Sequence, residues 1–173
     1  MQLTSILIPL LSLASTLNAI PLVSPEENAA LEARAGNFVP PANPVFYITD
    51  FSNQGTPHSN RVQISFKVNN PTTKQTATCS YSSYQGVSGI AVAPFYTRCS
   101  TPGFGFGFEL VQGGWVLTVE QKYSKDMIVE VGTVWLGDAS NIKTNVNTYN
   151  PNGSFKYFDH LDYFTIRTNW WHK

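Results

Sequence analysis

Charge is scarce in this chain: 11 Lys and Arg stand against 11 Asp and Glu among 173 residues, a charged share of 13%, about half that of an ordinary soluble domain. That scarcity excludes a polybasic nucleic-acid binder, and 42% hydrophobic with 13% aromatic residues excludes a disordered chain. Long apolar runs are lacking too. The one extended run, 6–17, falls short of the roughly 20 residues that a membrane-spanning helix needs, so no membrane partner is expected. Cysteine is limited to Cys79 and Cys99, with no C-x-x-C and no spaced His pair, whereas a structural zinc site takes about four ligands. No G-x-S-x-G elbow or H-E-x-x-H helix occurs. The chain therefore reads as non-enzymatic and free of cofactors.

What the sequence does contain begins with a leader. Residues 1–19 read as a signal peptide, with an apolar stretch around Ile6 and Leu13 followed by small residues up to Ala19. In 20–34, Ser24, Pro25 and Glu27 form the N-cap, first-turn proline and third-position acid of a short helix, a pattern that suits a pro-segment with Arg34 as a processing site. The remaining domain, 35–173, holds 10 basic and 8 acidic residues, a balance that implies no particular partner. In a secreted chain the even pair Cys79 and Cys99 reads as one disulfide.

From residue 45 onward the hydrophobic period is two, which predicts strands over 45–51, 61–69, 76–82, 104–110, 115–123, 127–136, 155–158 and 163–168. Val62, Ile64, Phe66 and Val68 share one face, and Gln63, Ser65 and Lys67 the other. Strands 104–136 form a meander, turning at Gly113-Gly114 and at Ser124-Lys125-Asp126, and 141–151 reads as a surface loop. The expected fold is all-β: a single compact antiparallel β-barrel or sandwich with one disulfide. Within it, Phe104, Phe106 and Phe108 require a buried face. The opposite face, bare at Gly103, Gly105 and Gly107, suits a strand bent at a barrel corner better than the close approach of a ligand or another backbone.

Chemistry is weakly marked. Asp159, His160 and Asp162 read as a solvated turn cluster before they read as a site. Glu120 and Glu130 lie on neighbouring strands, as a glycosidase pair would, yet outward-facing surface charge explains them more simply. Binding is the better lead. Tyr81, Tyr84, Phe95, Tyr96, Trp135, Trp170 and Trp171 exceed what a small barrel needs, and Tyr and Trp favour protein interfaces and sugar or polyphenol sites. Against that, Tyr81, Phe95 and Tyr96 flank the cysteines and could simply seal the disulfide. Asn152, in Asn152-Gly153-Ser154, is a glycosylation acceptor.

The runs Val45-Phe46-Tyr47-Ile48-Thr49-Asp50-Phe51, Ser65-Phe66-Lys67-Val68, Thr78-Cys79-Ser80, Phe95-Tyr96-Thr97-Arg98-Cys99, Phe106-Gly107-Phe108 and Leu117-Thr118-Val119-Glu120-Gln121-Lys122 follow one another as they do in the Alternaria major-allergen family. The chain resembles these small secreted fungal proteins over about 45–136. The resemblance implies a compact antiparallel barrel, and it matches Cys79 and Cys99 to the family's first intramolecular disulfide. It also implies an extracellular effector or elicitor that binds a plant defence protein, such as one of the thaumatin-like class, in the apoplast. The alternative it implies is a carrier of small aromatic molecules such as flavonoids. Two family features are missing: the second cysteine pair in the C-terminal third, and the N-terminal cysteine that links subunits in the type member.

Overall fold

A computed structural model describes residues 42–84, 89–123 and 128–172. The leader, the pro-segment, Arg34 and the Ser124-Lys125-Asp126 turn lie outside the described residues. Ten strands make up the structure: β1 (Val45–Gly55), β2 (Arg61–Asn70), β3 (Gln75–Tyr84), β4 (Ala93–Arg98), β5 (Phe104–Val111), β6 (Gly114–Lys122), β7 (Ile128–Asp138), β8 (Ile142–Asn145), β9 (Phe155–Phe158) and β10 (Phe164–His172). Two single 3-10 turns, Ala139–Asn141 and Pro151–Gly153, are the only helical elements among the described residues.

The strands form one antiparallel sheet in the order β3-β2-β1-β10-β7-β6-β5-β4, with β9 attached to β1 and β8 to β9. The sheet curls into a nearly closed barrel whose free edges, β3 and β4, meet without a strand ladder. A covalent and polar seam joins them. Cys79 of β3 is bonded to Cys99, just after β4. Beside that bond the Ser100 amide donates to the Thr78 carbonyl at 2.8 Å, the Thr78 amide to Ser100 Oγ at 2.8 Å, and Thr101 Oγ1 to the Thr76 carbonyl at 2.8 Å.

Alternation builds the interior. Val62, Ile64, Phe66 and Val68 of β2 are all buried, as their spacing predicts, and so are Phe104, Phe106 and Phe108 of β5. Phe66 meets Phe106 edge-on at 5.0 Å, and Phe108 stacks on Trp115 at 5.2 Å, geometries that suit the charge distribution of aromatic rings. One buried amide serves as a strand. Asn53 donates through Nδ2 to the Ala91 carbonyl at 2.9 Å and accepts from the Ala91 amide at 2.8 Å. It thereby satisfies the backbone of Ala91, next to the single bridge residue Ile90, and both residues lie in the core. Asn53→Ala orphans both backbone groups, and a loss of about 2 kcal/mol is expected in urea unfolding.

Apart from β1, β3 and β10, which run on to Gly55, Tyr84 and His172, the strands and turns depart from the sequence reading at three places. β4 was not expected, because a bulge between Ala93 and Thr97 breaks its alternation, with Tyr96 at φ 66°. β8 replaces part of the expected 141–151 loop; three of its four residues are exposed, so it carries no apolar pattern to detect. The hairpin between β5 and β6 turns at Gln112 (φ 48°) and Gly113 (φ 83°) rather than at Gly113-Gly114. Positive φ at both central residues matches the twist of the flanking strands, and Gly114 is left inside β6, paired with Val111.

Candidate functional site

The two faces of the β6–β7–β10 sheet differ in chemistry. On the inner face the apolar column ends in polar residues at one end of the barrel. Asn70 continues the inward row of β2, Gln121 that of β6, Glu130 that of β7 and Thr168 that of β10, and all four are buried. Glu130 is fully buried and accepts hydrogen bonds from the Tyr123 hydroxyl, the Thr168 hydroxyl and the Asn70 amide, the last at 2.6 Å. Asn70 Nδ2 also donates to Gln121 Oε1 at 2.8 Å, and Gln121 Nε2 to Gln75 Oε1 at 2.7 Å. Burial, the hydrogen bond to Glu130 and the nearby carboxylate charge together hold the Tyr123 phenol well above the ordinary tyrosine range.

Glu130 is therefore an inward group, not the outward surface charge expected from its valine neighbours. Its register partners, Gln121 and Trp170, point inward with it. Glu120 does face out, opposite Gly105 and Val131, but it too is buried. Lys122 Nζ lies 3.4 Å from its Oε1 and 3.6 Å from the centre of the Tyr96 ring. Tyr96, Lys122 and Glu120 thus stack on one patch of the sheet and exclude water from the carboxylate. The two glutamates occupy opposite faces of the sheet and cannot flank one glycosidic bond.

The outer face is where the aromatic residues gather. The β4 bulge folds Phe95 and Tyr96 back over the bare side of β5. A Cβ on Gly105 would lie 2.7 Å from the Tyr96 ring, and one on Gly107 3.0 Å from Phe95 Cα. The expected corner bend is therefore corrected: these glycines admit another segment of the chain. Gly114 plays the same part under Trp135, whose Nε1 lies 1.8 Å from where a Cβ would stand. Phe95, Trp135 and Trp171 remain about 60% exposed despite these contacts. Gly107 pairs with Thr118 and Thr118 with Thr133, so Phe95 and Trp135 lie near one row of the sheet. Two strand spacings of ~4.8 Å and two residues of ~3.4 Å along β7 put their backbones about 12 Å apart. Trp171 opposes Val129, six residues along β7 from Trp135, or about 20 Å away.

The other aromatic residues singled out in the sequence lie elsewhere. Trp170 points inward and packs on the Tyr123 ring at 4.9 Å. Tyr81 packs against the core, and Tyr84 is exposed at the end of β3, opposite Arg61. Asn152 is exposed in the 3-10 turn before β9. His160 is ringed by Phe51, Phe158 and Phe164, with the Phe164 ring 4.8 Å away. Asp159 and Asp162 stay exposed, so the trio divides into an aromatic packing residue and two surface acids. Among the described residues no group of three or more His, Cys, Asp or Glu could hold a metal ion. The buried polar end was missed in the sequence, although its signal was present: Asn70, Gln121, Glu130 and Thr168 each prolong an inward row by one step.

Two solved structures of the Alternaria alternata major allergen Alt a 1 are similar to this chain. One matches at 17% identity and a TM-score of 0.44, covering 75% of this chain and 95% of that one. The other matches at 17% identity and a TM-score of 0.43, covering 73% and 88%. The residue pattern of the sequence points to the same allergens. No protein-family profile matches the chain, and no curated protein matches it. At this identity the likeness concerns the fold, and no residue role is taken from it.

Proposed function

We propose that the protein is a secreted, non-enzymatic effector or elicitor of the plant apoplast that binds a host defence protein of the thaumatin-like class through its outer aromatic face. The observation that carries this reading is the exposure of Phe95, Trp135 and Trp171 on one face of a sheet stapled at its edge. Large rings on a rigid support lose little entropy on binding and supply most hot-spot energy at protein interfaces. The disulfide fits an oxidising, extracellular setting, as does the leader read from the sequence.

Pull-down from plant apoplastic fluid tests the reading. The wild-type protein is expected to enrich one defence protein. A variant carrying Phe95→Ala, Trp135→Ala and Trp171→Ala is expected to lose that enrichment while unfolding within about 1 kcal/mol of wild type, because exposed side chains contribute little to stability. Equal capture by the variant would contradict the assignment. Of the two places open to a flavonoid carrier, an aromatic-lined barrel mouth and the glycine face of 104–108, Phe95 and Tyr96 fill the second.

A further inference from the structure

At the end of the sheet where β1 turns into β2, a groove of about 540 Å³ runs between that turn and β9. Its volume falls within the range of small-molecule sites. Arg61 and Lys156 line it together with Ser59, Asn60, Ser154 and Phe155, and among the described residues no acid does. The groove continues past Ser59, Asn60 and Ser154 into a second recess of about 470 Å³ that reaches His58 and the sequon residue Asn152, again without an acid among the described residues that line it. In a chain with equal numbers of acidic and basic residues, this is a local excess of positive charge. Backbone packing shapes the groove. A Cβ on Gly55 would lie 3.3 Å from the Gly89 carbonyl, and the Lys156 stem rests against Gly89. Arg61 Nη2 donates to Ser82 Oγ at 2.9 Å, which fixes its guanidinium in an exposed position with further N–H groups to offer.

We infer that this groove binds a short uronic-acid oligosaccharide. Arg61 and Lys156 take the sugar carboxylates, a charge-assisted pairing for which the guanidinium fork is well suited. Ser59, Asn60 and Ser154 exchange hydrogen bonds with sugar hydroxyls, and Phe155 offers an apolar surface to a ring face. The two joined recesses and their hydroxyl and amide lining favour a chain of sugars over a single compact anion. The inference goes beyond the docking reading and is independent of it, since Phe95, Trp135 and Trp171 do not line the groove.

Calorimetric titration of the purified protein with trigalacturonate, its fully methyl-esterified form and inorganic phosphate tests it. Saturable binding of trigalacturonate is expected, weakened about tenfold by Arg61→Gln and likewise by Lys156→Gln. Lys67→Gln, which removes the same charge from an exposed pair with Asp50, should leave the affinity unchanged. Both groove residues are exposed, so melting curves should be unaltered, and Lys156→Gln keeps the test sound if losing the Ser82 contact disturbs Arg61→Gln. Absence of binding, equal binding of the methyl ester, phosphate binding as tightly as the sugar, or full affinity in a variant carrying both Arg61→Gln and Lys156→Gln would each overturn the assignment.

Discussion

Glu130→Ala is expected to lower stability by about 3 kcal/mol, the larger of the two glutamate effects, although nothing in its immediate sequence sets it apart from Glu120. The substitution removes the acceptor shared by the Tyr123 hydroxyl, the Thr168 hydroxyl and the Asn70 amide. It takes the acceptor from the buried Thr168 hydroxyl and leaves the Tyr123 hydroxyl and the Asn70 amide to share Gln121 Oε1 in the buried end of the barrel. Glu120→Ala is expected to cost about 1 kcal/mol or less, because its main partner, Lys122, is partly exposed. Urea unfolding of the two variants side by side checks the difference. Tyr123 adds a pH signature. Its phenol keeps its proton in the folded state at pH values where the unfolded chain's phenol ionises, since burial comes first among the causes and the Glu130 hydrogen bond and charge reinforce it. The stability it contributes is therefore complete below about pH 10 and falls by about 1.4 kcal/mol per pH unit above that. Tyr123→Phe should remove this part of the alkaline slope and leave the neutral-pH profile level.

Cys79→Ala is expected to cost about 3 kcal/mol while the ten-strand topology persists. The bond closes a loop with a sequence separation of 20, and loop entropy in the unfolded chain sets the scale. Its position gives it a second effect. The β3 and β4 edges are joined by this bond and by the hydrogen bonds of Thr76, Thr78, Ser100 and Thr101. Loss of the bond should therefore speed amide exchange at Thr78 and Ser100 well before it affects β6 or β7. Reduction that leaves melting and exchange unaltered would show that the bond contributes nothing to closure.

How legible these features were in the sequence follows from what each one depends on. Strands with an uninterrupted period of two, such as 62–68 and 104–108, declare both themselves and their buried face, because alternation is a local property. The two cysteines fixed the staple for the same reason: only one pairing exists. β4 escaped notice because Phe95 and Tyr96 leave the ladder to cover Gly105 and Gly107, and that packing depends on β5 rather than on β4. Glu130 was misplaced because flanking valines suggest an outward charge on a half-buried strand, whereas β7 has Val129 buried on the opposite side as well. The groove at Arg61 and Lys156 joins residues 95 positions apart, so no local pattern could reveal it. The aromatic surplus was visible as composition; only the register separated the outward Trp171 from the inward Trp170.

The outer aromatic face is the proposed docking surface for a host defence protein. Calorimetric titration of a purified plant thaumatin-like protein into this protein, compared with the Phe95→Ala, Trp135→Ala, Trp171→Ala variant, tests it most directly. Saturable one-to-one binding that the variant weakens by at least about thirtyfold, the scale of one interface hot spot, is the predicted result. Binding of equal strength by the variant, or no binding by the wild-type protein, would contradict it.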